Sequence, residues 1–485
     1  MSETALEGLE PRALWARFGE LARVPRPPQE EDEARAWALA WAGERRLAAE
    51  TDAAGNVVVR VPATPGRERA PVVVLQAHLD MVCERDPDSP YDARAGRLRL
   101  VRDGDWLRAD GTTLGADNGI GVAAALAAAE DPGLVHGPLE LLLTVSEEQG
   151  LEGAKALDPA LLRGRLLLNL DGSSDGALTV GCAGSAHTFL RLPLEPEDAP
   201  AGSAALEVVL SGALGGHSGG DIARGRLNAI KGLGRVLGEA LRAVPYRLAG
   251  LEGGVSRNAI PREARARVVL VAAGEAAFRV AAGAAFAAVQ ARHAGVEQGL
   301  RLRLEPAVAV PAAREETTTR ALDLLQSVPT GVLAVTPGVP EAVETSTSLT
   351  VARTQEGTLT LASMTRSASA SALDEAVASL EALGRLARAS VEVLRSYPPW
   401  EPAPDADLVV RARTVYERLF GEEPRLHVVH GGLECAVLGA KLPGAQLLAL
   451  GPEIVGPHAP GERVSISSTA RFYRFLGALL DELSS

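Results

Sequence analysis

Apolar positions in the first 180 residues fall in short solid runs rather than in alternation. The runs at 57–61, 72–77, 139–145 and 166–170 are each bounded by polar or glycine-rich segments. That is the pattern of strands buried on both faces. Helical stretches lie between them at 119–129 and 151–156. Such alternation predicts a largely parallel sheet covered by helices. Residues 1–50 read as two helices, the second from about 30 to 50. After about 186 the texture changes. Strand-like runs at 205–210, 264–271, 300–304, 349–353 and 358–364 alternate with long helices at 221–244, 276–294 and 373–395. The breaker Ser396-Tyr-Pro-Pro-Trp-Glu-Pro-Ala-Pro404 closes this region. Helix 406–420, strand 426–429, helix 433–438, strand 445–450 and helix 466–483 follow.

Metal-type ligands stand at the ends of these runs. His78 and Asp80 end the second, Glu147 and Glu148 follow the third, and Asp171 follows the fourth. Asp117 sits in a glycine-rich turn before an alanine-rich helix, and His458 lies far downstream. Carboxyl ends of strands in α/β sheets are where ligands bind. Five ligands (His78, Asp117, Glu148, Asp171, His458) with one shared carboxylate supply three donors to each of two metals, and Asp117 is the natural bridge. Two zincs about 3.5 Å apart can clamp a carbonyl and activate water. Cobalt and manganese suit the same donors. Asp80, two residues after His78, is placed to accept the other ring N–H of that histidine. Glu147 is left free as general base. Singly, a His-x-Asp or a glutamate pair reads as structure or solvated surface; the ordered set reads as an enzyme. Asp171 and His458 lie 287 positions apart. A common centre therefore requires an insertion, with catalytic parts at 1–186 and 398–485 around a domain at 187–397. The expected class is α/β, a discontinuous mixed-sheet catalytic domain with an inserted α+β domain.

Composition narrows the partners. A net charge of −13 argues against nucleic acid and anionic membrane. The acidic first ten residues lack a signal-peptide core, and no apolar stretch reads as long enough to span a bilayer. Three cysteines, Cys83, Cys182 and Cys435, form no close pair, which fits a reducing cytoplasm.

The stretches Gln76-Ala-His-Leu-Asp-Met-Val82, Arg108-Ala-Asp-Gly-Thr-Thr-Leu-Gly-Ala-Asp-Asn-Gly-Ile-Gly121, Val135-His-Gly-Pro-Leu-Glu140, Ser146-Glu-Glu148 and Gly181-Cys-Ala-Gly184 carry a family likeness. So do Gly215-Gly-His-Ser-Gly-Gly220, Arg257-Asn-Ala-Ile-Pro-Arg-Glu263, His430-Gly-Gly-Leu-Glu-Cys435 and Gly451-Pro-Glu-Ile-Val-Gly-Pro-His458. Over nearly its whole length the chain resembles the co-catalytic dizinc aminoacylase/carboxypeptidase G family, and within it the aminoacyl-histidine dipeptidases of the carnosine-cleaving type. The resemblance implies His78, Asp117 and Asp171 on one zinc and Asp117, Glu148 and His458 on the other. It also implies a cis bond after Asp117 and a lid domain in the insertion. His217 would stabilise an oxyanion, with Asn258 and Arg366 as substrate contacts. Gly431, Gly432 and Glu434 are candidates to line a pocket for the substrate amino group, against a plain glycine turn. Departures are Ser146 for the usual Thr and Leu170 where Thr is common. The expected activity is hydrolysis of Xaa-His and similar small dipeptides, with an aminoacylase or broad dipeptidase as rival. From another class, Gly216-His-Ser-Gly-Gly220 matches the nucleophile-elbow pattern, with Ser218 as nucleophile. The sequence leaves a homodimer open.

Overall fold

The computed structural model describes residues 3–336 and 342–485; Met1 and Ser2 of the acidic N-terminal stretch lie outside it. The chain divides into two compact units. The first comprises Met1–Cys182, Pro402–Val429 and Leu433–Ser485, the second Ala183–Glu401 and His430–Gly432.

An eight-stranded sheet organises the first unit. Its spatial order is Ala48–Thr51, Val57–Val61, Leu139–Thr144, Val73–His78, Leu166–Asn169, Gln446–Ala449, Ala177–Cys182 and Arg425–Val429. The central strands Leu139–Thr144, Val73–His78, Leu166–Asn169 and Gln446–Ala449 run parallel. Val73–His78 and Leu139–Thr144 are buried at every position, so solid apolar runs mark them correctly. Ala48–Thr51 and Val57–Val61 join antiparallel at one margin; at the other, Ala177–Cys182 meets Gln446–Ala449 antiparallel and Arg425–Val429 parallel, so the sheet is mixed rather than largely parallel. The second N-terminal helix is shorter than expected, Asp32–Glu44, because Ala48–Thr51 pairs with Val57–Val61 as an edge strand. The alanine-rich segment Ala116–Glu130 packs between helix Arg12–Leu21 and strand Val73–His78. Its small side chains allow both approaches.

The second unit is built on nine strands. Eight run in the order Arg301–Ala307, Ser203–Ser211, Ala264–Val271, Arg247–Gly253, Val343–Gln355, Thr358–Ser367, Gly184–Pro193 and Ser390–Tyr397, and Gly331–Val335 pairs with Val343–Gln355. Helices Ala229–Ala243, Glu275–His293 and Glu315–Ser327 close its core. Two expected helices are shortened. The stretch 221–244 opens with a single 3-10 turn, Ile222–Arg224, and its helix begins at Ala229, capped by Asn228. The stretch 373–395 ends as helix at Leu386 and continues as strand Ser390–Tyr397, drawn into the sheet by pairing with Gly184–Pro193.

One helix, Ala272–His293, is long and apolar enough to cross a membrane by length and composition, with 22% of that window buried. This corrects the reading that no stretch was long enough. Its hydropathy comes from alanine. Phe278, Ala282, Ala285 and Val289 face the core of the second unit, and Arg279 within it pairs with Glu275.

Candidate metal centre

In the first unit the two histidines meet the acids from opposite sides of one carboxylate. His78 Nε2 lies 3.1 Å from Asp117 Oδ1 and 3.6 Å from Asp171 Oδ1. His458 Nε2 lies 3.5 Å from Asp117 Oδ2 and 3.0 Å from Glu148 Oε1. Each oxygen of Asp117 thus serves a different histidine. Ligand atoms of His78, Asp117 and Glu148 come within 4.8 Å of one another. Glu148 Oε1 is buried with no hydrogen-bond partner despite its closeness to the His458 ring. Imidazole nitrogens and carboxylate oxygens converging in this way are the donor set a divalent metal takes. The residues fit a divalent metal site.

The electrostatics carry the same signature. Burial opposes charge on His78, but hydrogen bonds to Asp117 and Asp171 outweigh it and hold its pKa well above the usual histidine value. Asp117 and Glu148 raise His458 to about 10. Burial pushes Asp171 to about 7, helped by the charge of Asp117. Acids this crowded need a countercharge. Glu147 is held well above the carboxylate range, first by burial and then by the neighbouring charges of Asp171, Glu434 and Glu148. A carboxyl raised toward neutrality suits proton transfer.

Asp80 serves more than the histidine. His78 Nδ1 lies 3.0 Å from the Asp80 backbone carbonyl and 3.5 Å from its carboxylate. The carboxylate also accepts the N–H groups of Glu147 and Glu148, each at 3.0 Å. Both acids are thereby pinned beside the histidine. The chain turns after His78 and aims the side chain of Asp80 at the next strand end.

Three positioning groups escaped the sequence reading. Glu462, 2% exposed, accepts the backbone N–H groups of Leu114, Gly115, Ala116 and Asp117 at 2.8–3.2 Å. It holds the turn that presents Asp117; the Asp117–Asn118 bond in that turn is cis. Asn118 Nδ2 donates to Asp171 Oδ1 at 2.7 Å. Arg26, buried, donates to the carbonyls of Leu79, Asp80 and Gly115. Each acts across dozens to hundreds of positions, so its partner could not be read from the residues beside it. Ser146, the departure noted above, has φ +51° and donates through Oγ to Glu31 at 2.8 Å. Glu434 is fully buried and accepts from Gln76 at 2.5 Å and Thr144 at 2.7 Å. Burial lifts its pKa to about 7, and its Oε1 has no partner.

The second unit gathers the other candidates. Arg366 is 4% exposed, donates to Tyr397 OH at 3.3 Å, leaves Nε unpartnered, and has no ion pair among the described residues. Gly219 sits against it: a Cβ there would lie 3.3 Å from Arg366 Nε, 3.1 Å from His217 Cε1 and 2.3 Å from the His430 carbonyl. His430 Nε2 meets Ser346 Oγ at 2.6 Å. Gly432 packs on the Tyr397 ring. Asn258 is exposed; its carbonyl accepts Ser218 N at 2.7 Å and its amide oxygen accepts from Ser256. Ser218 itself is 1% exposed with an unpartnered hydroxyl. A two-residue strand, Gly216–His217, leads into it, and a 3-10 turn, Ile222–Arg224, follows. An elbow nucleophile must be exposed at a strand-to-helix turn, whereas Ser218 is buried and no α-helix follows its turn directly.

Comparison with known proteins gives four likenesses. Residues 74–482 match the model of peptidase family M20/M25/M40. The chain is 37% identical to the cytosol non-specific dipeptidase of Escherichia coli K12 over 487 residues, covering 100% of this chain and 99% of that one. It superposes on the crystal structure of aminoacylhistidine dipeptidase from Vibrio alginolyticus with a TM-score of 0.90, at 34% identity and 99% coverage of both chains. Aminopeptidase PepT from Bacillus cereus matches at TM-score 0.57 and 17% identity, over 98% of this chain and 100% of that one, a likeness of fold alone.

Proposed function

The chain belongs to peptidase family M20/M25/M40, and from that premise we propose that it is a metal-dependent dipeptidase. Its substrates are Xaa-His and similar small dipeptides, hydrolysed in the cytosol. The observation that carries this reading is Asp117, whose two oxygens address two different histidines. His78, Asp117 and Asp171 would hold one ion, and Asp117, Glu148 and His458 the other. Zinc bound there, or cobalt or manganese in its place, would supply the Lewis acidity that polarises a carbonyl and acidifies a water.

The chain's own groups do the rest. Glu147 takes a proton from the attacking water and passes it to the leaving amine. Asp80 keeps Glu147 and Glu148 in register. His217 donates to the oxyanion. Arg366, a buried guanidinium without a carboxylate of its own, takes the free carboxylate of a dipeptide, with Asn258 donating alongside. A longer peptide would offer a neutral amide there and lose the charge-assisted contact. Gly432 and Glu434 remain candidates for the amino end.

The test is turnover of Ala-His, β-Ala-His, Ala-Leu and N-acetyl-Ala, before and after chelation. Dipeptides should be cleaved, lost on chelation and restored by zinc. Faster cleavage of N-acetyl-Ala than of every dipeptide would overturn the reading in favour of an aminoacylase.

A further inference from the structure

The turn bearing His217 is closed on itself. Asp221 N donates to the His217 carbonyl at 3.1 Å, and Asp221 Oδ2 accepts from His217 N at 2.9 Å. Inside the turn, Gly219 N at 3.3 Å and Gly220 N at 3.0 Å converge on His217 Nδ1. A backbone N–H can only donate, so Nδ1 is the accepting nitrogen, and the proton of the neutral ring sits on Nε2. The ring is kept neutral first by desolvation and then by the nearby Arg366 charge, which lower its pKa.

Asp221 is itself gripped. Arg226 Nη2 lies 3.2 Å from Asp221 Oδ1 and Arg224 Nη1 lies 3.1 Å from it. Arg226 Nη1 also donates to the Gly215 carbonyl at 2.5 Å, on the other side of His217. Between these groups Gly216 has φ +138°. A Cβ there would fall 2.2 Å from Arg226 Nη1 and 2.5 Å from Asp221 Oδ2, so only glycine fits. The aspartate, the arginine and the glycine form one clamp across the backbone of a single histidine.

We propose that Asp221, held by Arg226, is a positioning residue that locks His217 in the tautomer carrying its proton on Nε2. This makes the ring a fixed N–H donor before substrate arrives, the preorganisation an oxyanion contact requires, and it rests on the oxyanion reading of His217 given above. Without the clamp the turn opens, the two glycine N–H groups leave Nδ1, and the ring samples both tautomers.

The experiment is two-bond 1H–15N correlation of the zinc-loaded full chain labelled on histidine nitrogen, with His217 assigned by its loss in His217→Gln. Wild type should show protonated Nε2 and unprotonated Nδ1. Asp221→Ala should show a tautomer mixture, with kcat down about ten- to a hundredfold, less than the 10²–10³ lost with a whole oxyanion donor, and with KM and zinc content within about twofold. Asp221→Asn, which keeps an acceptor for His217 N–H, should recover part of both signals. Arg226→Ala should move them in the same direction and serves if Asp221→Ala does not fold. A wild-type His217 spectrum in folded Asp221→Ala and Arg226→Ala overturns the lock, whatever happens to turnover. A tautomer mixture with unchanged kcat upholds the lock and instead removes the oxyanion role of His217.

Discussion

Replacing Glu462 by Gln tests whether one buried carboxylate builds the turn that bears Asp117. Its two oxygens each accept a pair of backbone N–H groups, Leu114 and Gly115 on one, Ala116 and Asp117 on the other. Glutamine keeps one oxygen and sets an N–H2 against the second pair. Two hydrogen bonds to a charged acceptor are lost, worth about 1.5–3 kcal/mol each, or about 3–6 kcal/mol together. Some of this returns. Burial, and then the like charge of Asp117, already hold the Glu462 pKa above its ordinary value, so removing the charge relieves both. We expect a net destabilisation of about 2–4 kcal/mol. Urea unfolding followed by tryptophan fluorescence reads it directly, because Trp15, Trp37, Trp41 and Trp106 lie in the first unit. Chelator competition on the folded variant should show weaker metal retention, about tenfold or more, since Asp117, the proposed bridge, hangs on that turn. An unchanged urea midpoint together with an unchanged competition curve would refute the argument.

Three further outcomes follow from the same geometry. Glu147→Gln should keep its metal but lose about 10²–10⁴-fold in turnover, whereas Glu148→Gln should lose metal; elemental analysis beside kinetics separates them, and the reverse pattern would exchange their roles. Arg366→Lys keeps the charge but not the planar fork, and should raise KM for a dipeptide about tenfold to a hundredfold, from one charge-assisted bond of about 1.5–3 kcal/mol; unchanged KM would remove the carboxylate contact. Burial, and then Arg366, lower His430 to about 4, so between that value and the ordinary 6.5 the unfolded chain binds more protons than the folded one. The resulting stability is complete above pH 6.5 and is lost as pH falls toward 4, by about 3 kcal/mol at most. Melting from pH 7 to 4.5 should therefore fall more steeply in wild type than in His430→Gln, and parallel slopes would contradict this.

What the sequence determined by itself is everything that is local and repeated. A solid apolar run must lie inside a sheet, so the strands carrying His78 and leading to Glu147, Glu148 and Asp171 were legible with their ligands at their carboxyl ends. Asp117 was legible because a glycine-rich turn before an alanine-rich helix can hold a carboxylate rigidly. An insertion was expected because candidate ligands 287 positions apart cannot meet otherwise. What only the tertiary structure decided is non-local. Strand Ser390–Tyr397 looked like helix because its side-chain pattern suits either state, and pairing with Gly184–Pro193 settled it. Edge strand Ala48–Thr51 arose in the same way. Glu462 reaches back more than three hundred positions to the Asp117 turn, and Asp80 spends its carboxylate on two amides just beyond another strand as well as on the adjacent histidine. Such choices depend on where a buried polar group finds its partners, and a buried group takes whichever partner the packed fold brings within 3 Å. Periodicity reports which side of an element is dry. It does not report what stands opposite, and the positioning of this site is made of what stands opposite.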